Sequence, residues 1–329
     1  MAYGNATLLD LSKMSSDVPV NVIHTIVDAM PLFDQMAFQP CNDGTSNKTM
    51  VITDYPKGQT RAYNEGVRPE KAGGMVVTDS TCMVQSYSQI DADMLEMHGN
   101  SAEWRANQEA AFPIGMAHEM AYKVFNGSLA KDPKSFNGLA VRYNHLGGDF
   151  KDNVLDAGGQ NTAAQGLADI WICDWGQTRV HGIHPAGAGV AGFTRKDKGQ
   201  VECFDANGLR YDGVVTQFKW NMGIAVEDRR SVIRIANVDI AQCLADGSGT
   251  DLVDLLIDAV EMLPANAGSG CAIYMNKALR VALRKQIGHR ENVNLQWETV
   301  AGRKVVTYDG IPVHKLPTSI LPTYNKRIA

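Results

Sequence analysis

An α+β fold is what this sequence predicts, and three stretches carry the prediction. Residues 100–126 read as one long helix with a hard stop at Asn126-Gly127. Met50–Thr53 and Met75–Ser88 read as two strands joined by a long polar tip. The tail alternates short strands with turns, as VNLQWETV, AGR, KVVTY, DG and IPVHKL.

Taken in order, residues 1–17 are small and polar and read as an extended arm. Pro19 suits a first helical position. Val22, Ile23, Ile26, Val27 and Met30 then recur at helical spacing until Pro31 stops them. This amphipathic helix either packs within its own subunit or lies on a neighbour. Residues 38–49 are turn-rich. In the ribbon that follows, Cys82, Val84 and Ser86 alternate with Met83, Gln85 and Tyr87. Its middle is crowded with Gly, Pro and charge, including Lys57, Gly58, Arg61, Glu65, Gly66, Arg68, Glu70, Lys71, Gly73 and Gly74. A lone two-stranded ribbon is marginal in water. It is therefore a flexible excursion or it lies on another molecule, where mixed charges suit ion pairs between subunits.

The long helix opens with Asn100 as cap and Glu103 three residues on. Met116, Ala117, Met120, Ala121, Val124 and Phe125 form its apolar stripe. About 26 residues give roughly 39 Å at 1.5 Å per residue. Pro113 removes one hydrogen bond and bends the rod, or marks the start of a shorter helix. Gly127 is expected in the left-handed conformation. The chain re-enters the fold through Phe136 and Leu139.

Residues 144–166 read as a loop or domain crossing. Ala168–Gly176 is a predicted strand continued by TRVHGIHP, and residues 186–213 read as short strands between turns. Gln217–Asp239 alternates as two strands joined near Glu227–Arg230. Thr250 is the expected cap of a helix over Asp251–Leu263, with Leu252, Leu255, Leu256, Ala259 and Leu263 inward. Cys271–Met275 is a buried strand, and Asn276 opens a helix over Lys277–Ile287.

Composition narrows the function. Of 329 residues 44% are hydrophobic, enough to bury a sizeable core. The net charge of −5 and the lack of a basic stripe argue against a high-affinity nucleic-acid binder. None of Cys41, Cys82, Cys173, Cys203, Cys243 and Cys271 falls in a C-x-x-C pair, so reduced, mostly buried thiols are expected. Neither a signal peptide nor a run of about 20 apolar residues occurs, which predicts a soluble protein with no membrane partner, made in the cytoplasm.

Candidate chemistry is sparse. His181 and His184 sit three apart in a strand, where they face opposite sides. Gly268-Ser269-Gly270 lacks the nucleophile-elbow pattern. Ala186–Gly192 has glycines but no phosphate-loop lysine and no helix after it. Asp174 and Asp228 are expected to cap turns or pair with Arg179, Arg229 or Arg230. No catalytic, cofactor-binding or metal-ligating residue is nominated, no cofactor is expected, and the chain reads as no enzyme.

Phe125-Asn126-Gly127 followed by Asp132-Pro133-Lys134-Ser135-Phe136-Asn137-Gly138-Leu139 resembles the spine-helix region of major capsid proteins of tailed bacteriophages of the Hong Kong 97 (HK97-like) type. That family shows a Phe-Asn-Gly stop and then D-P-x-x-F-x-G-L. Ile170–Gly176 with Val180–Pro185 is similar to its I-W-x-x-D-W-G…V-H-G-I-x-P block. Trp220–Ile224, Asp228-Arg229 and Arg234–Asn237 resemble W-x-x-G-I…D-x-R…R-I-x-N. Ala272–Asn276 and Tyr308–Val313 resemble its closing strands. The likeness covers about residues 18–320 in the family order and is nearest to short-tailed phages.

The resemblance implies a division into an N-terminal arm (1–44), an extended β-hairpin loop (45–95), a peripheral domain with the spine helix (96–149), an axial domain whose strands return to the peripheral domain (150–300), and C-terminal strands of the peripheral domain (301–329). It implies a coat protein that self-assembles through hexamers and pentamers into an icosahedral head around double-stranded DNA, without sequence-specific binding. Implied partners are further copies of itself, a decoration or cement protein, a portal at one vertex and a separate scaffolding protein. The last follows because the long built-in scaffold of some members is not seen before the arm. Localisation would be the virion, after synthesis in the host cytoplasm. Some members crosslink a loop Lys to a distant Asn; Lys57, Lys71 and Asn292 exist here, but nothing in the sequence assigns that chemistry to them. An encapsulin-like nanocompartment shell is the alternative, and an enzyme is a more remote one.

Overall fold

The computed structural model of the chain describes residues 26, 30–54, 56–97, 102–147, 152–160, 166–189, 191–205, 207–244, 250–264, 267, 270–288, 295–300 and 303–328. Most of the arm, Asn100, Gly268, Ser269 and Asn292 lie outside these residues. Where the leading segment is described it belongs to the subunit's own core: Ile26, Met30 and the short helix α1 (Leu32–Gln35) bury Leu32 and Phe33. Phe38–Pro40, within the stretch read as turns, is strand β1.

The first sheet runs β1, β6 (Val180–His184), β8 (Arg210–Val226), β3 (Gly73–Asp91) and β2 (Ser46–Asp54), with β7 (Phe193–Phe204) also beside β8. Residues 186–213, read as several short strands, contain most of one long hairpin of β7 and β8. Its first strand, FTRKDKGQVECF, is exposed at most positions. A strand held by ladder bonds at a solvated edge has no burial pattern to show in sequence. Along β8 the even-numbered Phe218, Trp220, Met222 and Ile224 face the core.

The second sheet runs β11 (Leu295–Val300), β12 (Arg303–Tyr308), β13 (Ile311–Leu316), β10 (Cys271–Asn276), β5 (Leu167–Asp174), β9 (Val232–Asp239) and β4 (Val154–Asp156). β4 lies inside the stretch read as a loop. β12 and β13 extend the sheet of β10, through the parallel register Ile273↔Val313, and not the sheet that carries the ribbon. Two of these pairings, β10–β13 and β4–β9, are parallel within an otherwise antiparallel sheet.

β5, β9 and β10 are buried along nearly their whole length because both faces of this sheet are covered. Trp171, Cys173, Ala272 and Tyr274 face the core shared with the long helix. Ile170, Ile172, Ile233, Ile235, Ile273 and Met275 face a second core, under helices α6 (Ile240–Leu244), α7 (Leu252–Glu261) and α8 (Lys277–Gly288). Parity flips at Asn237, which takes φ 59° at a register shift and lets Val238 rejoin the second core.

The predicted long helix is divided. After α2 (Ala92–Met97) come α3 (Ala102–Glu109) and α4 (Ala111–Asn126). Ala110 between them keeps helical dihedrals, φ −60° and ψ −27°. Pro113 supplies no N–H for the Glu109 carbonyl, so the hydrogen-bond ladder is interrupted there without the chain leaving the helical path. α4 buries the predicted stripe from Met116 to Phe125. It spans both sheets: Phe112 stacks on Phe218 at 5.6 Å, and Phe125 meets Tyr274 edge-on at 5.8 Å.

Gly127 is not left-handed; its φ is −55° and ψ 141°. A Cβ there would stand 2.5 Å from the carbonyl oxygens of Lys123 and Phe136, and one on Gly138 2.6 Å from that of Lys123. The returning loop crosses the helix end backbone to backbone, with Gly138 N–H donating to Gly127 O at 2.9 Å. Phe136 and Leu139, the latter opening α5 (Leu139–Arg142), are buried as expected. Asp251, not Thr250, caps α7 by accepting from Val253 N–H, while the Thr250 hydroxyl donates to Gln242. Asn276 caps α8 through Leu279 N–H at 2.8 Å.

Candidate assembly surface

One strand links the body of the subunit to a free ribbon. Thr81–Asp91 of β3 pairs with β8, whereas residues 73–80 pair only with β2. On the sheet half, Cys82, Ser88 and Ile90 are buried. Beyond Asp79 that pattern ends. Met50 and Val76 are register partners on one face of the ribbon and are 70% and 65% exposed. Met75, on the opposite face, is 52% exposed. All of residues 56–72 are exposed, including Tyr63 and Val67. The tip holds its own shape: Glu70 accepts from Gly58 N–H and Gln59, and Glu65 from Ala62 N–H. Large apolar side chains on both faces of a two-stranded ribbon form a surface built to be covered.

The ribbon's root is clamped. Asp79, buried where β3 leaves the sheet, accepts from Arg142 Nη2 at 2.6 Å. The same Arg142 nitrogen reaches Asn137 O at 3.2 Å and Ile224 O at 3.3 Å. Ribbon, re-entrant loop and β8 therefore meet at one guanidinium. Glu109, last residue of α3 and buried, is a second clamp. It accepts from Arg105 at 2.8 Å, from Arg195 of β7 at 2.6 Å and from Thr216 of β8 at 2.6 Å. Burial alone raises the Glu109 carboxyl; the bonds from Thr216, Arg195 and Arg105 more than reverse this and hold it below its ordinary value. A third network ties the tail down: Arg234 donates to Asp169 at 2.5 Å and to Tyr143 O at 2.6 Å, with its guanidinium 4.9 Å from the Trp171 ring centre. Tyr324 donates to Asp169 as well.

The residues weighed for chemistry take structural places. His181 is buried in β6, which lowers its pKa to about 4 despite a backbone hydrogen bond at Gly176 that favours the charged form. His184 is half-buried beside Pro185 O. Asp174 pairs with Arg179 at 2.7 Å, and Asp228 caps a turn and pairs with Arg230 at 2.9 Å. The glycines of the 186–192 loop lead into a strand. All six cysteines are free and buried, and burial pushes Cys82 up to about 11 and Cys271 to about 12. Among the described residues no group of three or more His, Cys, Asp or Glu side chains is placed to hold a metal ion. No described helix is long and apolar enough to cross a membrane. Sequence reasoning missed Glu109 and Arg142. The Arg105–Glu109 spacing of four was a visible signal; their distant partners left none.

Comparison with known proteins gives one family: the model described as major capsid protein GP7 matches residues 15–321. No curated protein matches. Among solved structures, a chain of bacteriophage Epsilon15 is 26% identical with a TM-score of 0.66, over 88% of this chain and 87% of that one. The capsid of bacteriophage JBD30 is 11% identical with a TM-score of 0.49, over 87% and 89%. The SrpI encapsulin of Synechococcus elongatus PCC 7942 is 11% identical with a TM-score of 0.43, over 63% and 86%.

Proposed function

This chain belongs to the major capsid protein GP7 family, and from that premise we propose that hexamers and pentamers of it close an icosahedral head around double-stranded DNA. It is a capsid shell protein with an HK97-like α+β fold, and shells of this kind form the heads of phage virions. The exposed ribbon is the observation that carries the reading of how copies join: an apolar, two-faced projection held rigidly at its root gains its burial on another copy.

In this reading residues 45–95 are the extended loop, 96–149 carry the spine helix, and 150–300 hold the axial domain, with β6–β8 returning to the peripheral sheet. The arm is 1–44. The tail segment 301–329 keeps its peripheral assignment for its last turns, since Asn126 at the spine-helix end donates to Ile320 O at 2.6 Å. Synthesis is in the host cytoplasm, with a separate scaffolding protein, a portal and a decoration or cement protein as partners. The role is structural and involves no catalysis. The net charge of −5 suits an inner wall that lets DNA slide, because sequence-independent binding grows with the number of Lys and Arg contacts.

Negative-stain microscopy of the purified protein tests the proposal. Closed shells tens of nanometres wide are expected from the intact chain. A variant with residues 56–72 replaced by a two-residue turn is expected to fold, by circular dichroism, yet build no shells. Shells of normal shape from that variant would remove the ribbon from the account, and a small discrete oligomer from the intact chain would overturn the shell itself. Nuclease-resistant DNA inside particles recovered from an infected host separates a phage head from a protein-filled compartment.

A further inference from the structure

Two helices on the outer face of the seven-stranded sheet carry opposite charge in matching layouts. α7 lies over β9 and buries Leu252, Leu256 and Ala259. Its exposed stripe is Asp254, Ile257, Asp258 and Glu261, spaced three and four apart, and the helix contains no cation. α8 lies over β10 and β13 and buries Leu279, Ala282 and Leu283. Its exposed stripe is Lys277, Val281, Arg284 and Lys285, with Arg280 half-buried beside it, and the helix contains no carboxylate. Each stripe has one aliphatic side chain at its centre, Ile257 at 44% and Val281 at 43% exposure. Both are about 10–12 Å long at 1.5 Å per residue.

We propose that the α7 stripe of one copy docks on the α8 stripe of the next around each ring, with Ile257 against Val281. The inference rests on the ring-forming reading above and names a surface within it. Charge selects the pairing of unlike helices. A two-fold axis through either stripe would set α7 on α7 or α8 on α8 and bring like charges together, whereas one between the helices would pair α7 with α8 reciprocally but end in a dimer, which the ring-forming reading does not use. A head-to-tail contact satisfies both stripes at once and repeats until the ring closes. Asp258, Glu261, Lys277 and Lys285 form no ion pair with other described residues of their own chain. Arg280 adds a second observation: its Nε is buried with no hydrogen-bond partner among the described residues, and burial together with neighbouring Arg284 disfavours its charge. A carboxylate from the adjoining copy near the guanidinium offsets the charge penalty.

The test mixes two single-site variants, Ile257→Cys and Val281→Cys, each purified as full-length protein and assembled together under mild oxidation. A disulfide-linked species of twice the subunit mass is expected only in the mixture, because the link joins different chains. Charge reversal supplies a second readout: Asp258→Lys with Glu261→Lys, or Lys277→Glu with Lys285→Glu, is expected to slow assembly about tenfold. All four changes in one chain are expected to restore assembly, since both stripes are then reversed. Links within the Ile257→Cys protein alone, or a folded quadruple variant that stays unassembled, would overturn the proposal. So would normal shells from the intact chain with neither the mixed link nor an effect of either reversal, and in that case the shell reading stands. An intact chain that forms no shells at all takes both down.

Discussion

Gly127 and Gly138 show at the scale of single residues what a motif means physically. Both were legible as a helix stop and a loop, but the expected cause, a left-handed glycine, is not the one that operates. The cause is the crossing of two backbones, which no sequence window displays because Lys123 O and Phe136 O are brought together only by the fold. Carbonyls of a helix end cannot step aside as a flexible side chain can. Gly127→Ala and Gly138→Ala are therefore each expected to destabilise the subunit by about 1–3 kcal/mol, read as a lower urea midpoint at unchanged slope. His181 makes a prediction of a different kind. In the fold it stays neutral down to about pH 4, whereas the unfolded chain takes up a proton near pH 6.5. Between those values the unfolded state binds more protons, so acid favours unfolding. The contribution of His181 to stability should fall through this window by roughly 3 kcal/mol, about 1.4 for each pH unit, alongside that of His314, which burial holds at about 4 as well. Thermal melts of His181→Asn between pH 7 and pH 4 should show a visibly shallower decline; an unchanged slope would place the acid sensitivity elsewhere.

Elements differ in how far the sequence reveals them, and burial decides which. β5, β9, β10 and α4 were legible because covered faces demand apolar periodicity. β7 and β4 were not: the first is held at an exposed edge, and the second is only three residues long. The ribbon was legible as two strands but not in its reach, since residues 73–80 pair only with β2 and Met75, Val76 and Thr78 meet water in the isolated chain. The candidate surface was thus half readable. Its polar tip stood out, while the clamps at Asp79 and Glu109 also depend on Arg142, Arg195 and Thr216, each at least sixty residues away in sequence. Glu109 fixes the joint between α3 and α4 to the sheet, because two guanidinium groups and a hydroxyl converge on it. Glu109→Ala leaves Arg195 without this carboxylate and Arg105 with only that of Asp197, at 2.9 Å, and about 3 kcal/mol of destabilisation is expected. Glu109→Gln keeps the shape and some of the bonds, so a smaller loss is expected. Equal losses from the two variants, measured by urea unfolding, would show that packing rather than charge holds the joint.

At the scale of the whole molecule, the subunit has a packed body and an exposed projection, and this asymmetry can be read by proteolysis. The body buries both faces of its second sheet and one face of its first, so opening it requires global unfolding. The tip offers Lys57, Arg61 and Lys71 on exposed backbone, while Arg68 is shielded from trypsin by Pro69. In a free subunit these sites need no unfolding to be cut, and nicking between residues 57 and 71 is expected before any other described site. Once copies cover one another, cleavage requires the ribbon to leave its neighbour first, and its rate scales with that open fraction. Trypsin should then nick shells at least about tenfold more slowly than dissociated subunits, with fragment masses reporting the same sites in both. Equal rates would mean that the ribbon stays uncovered in the shell, and its apolar faces would then need a partner other than a second copy of this chain.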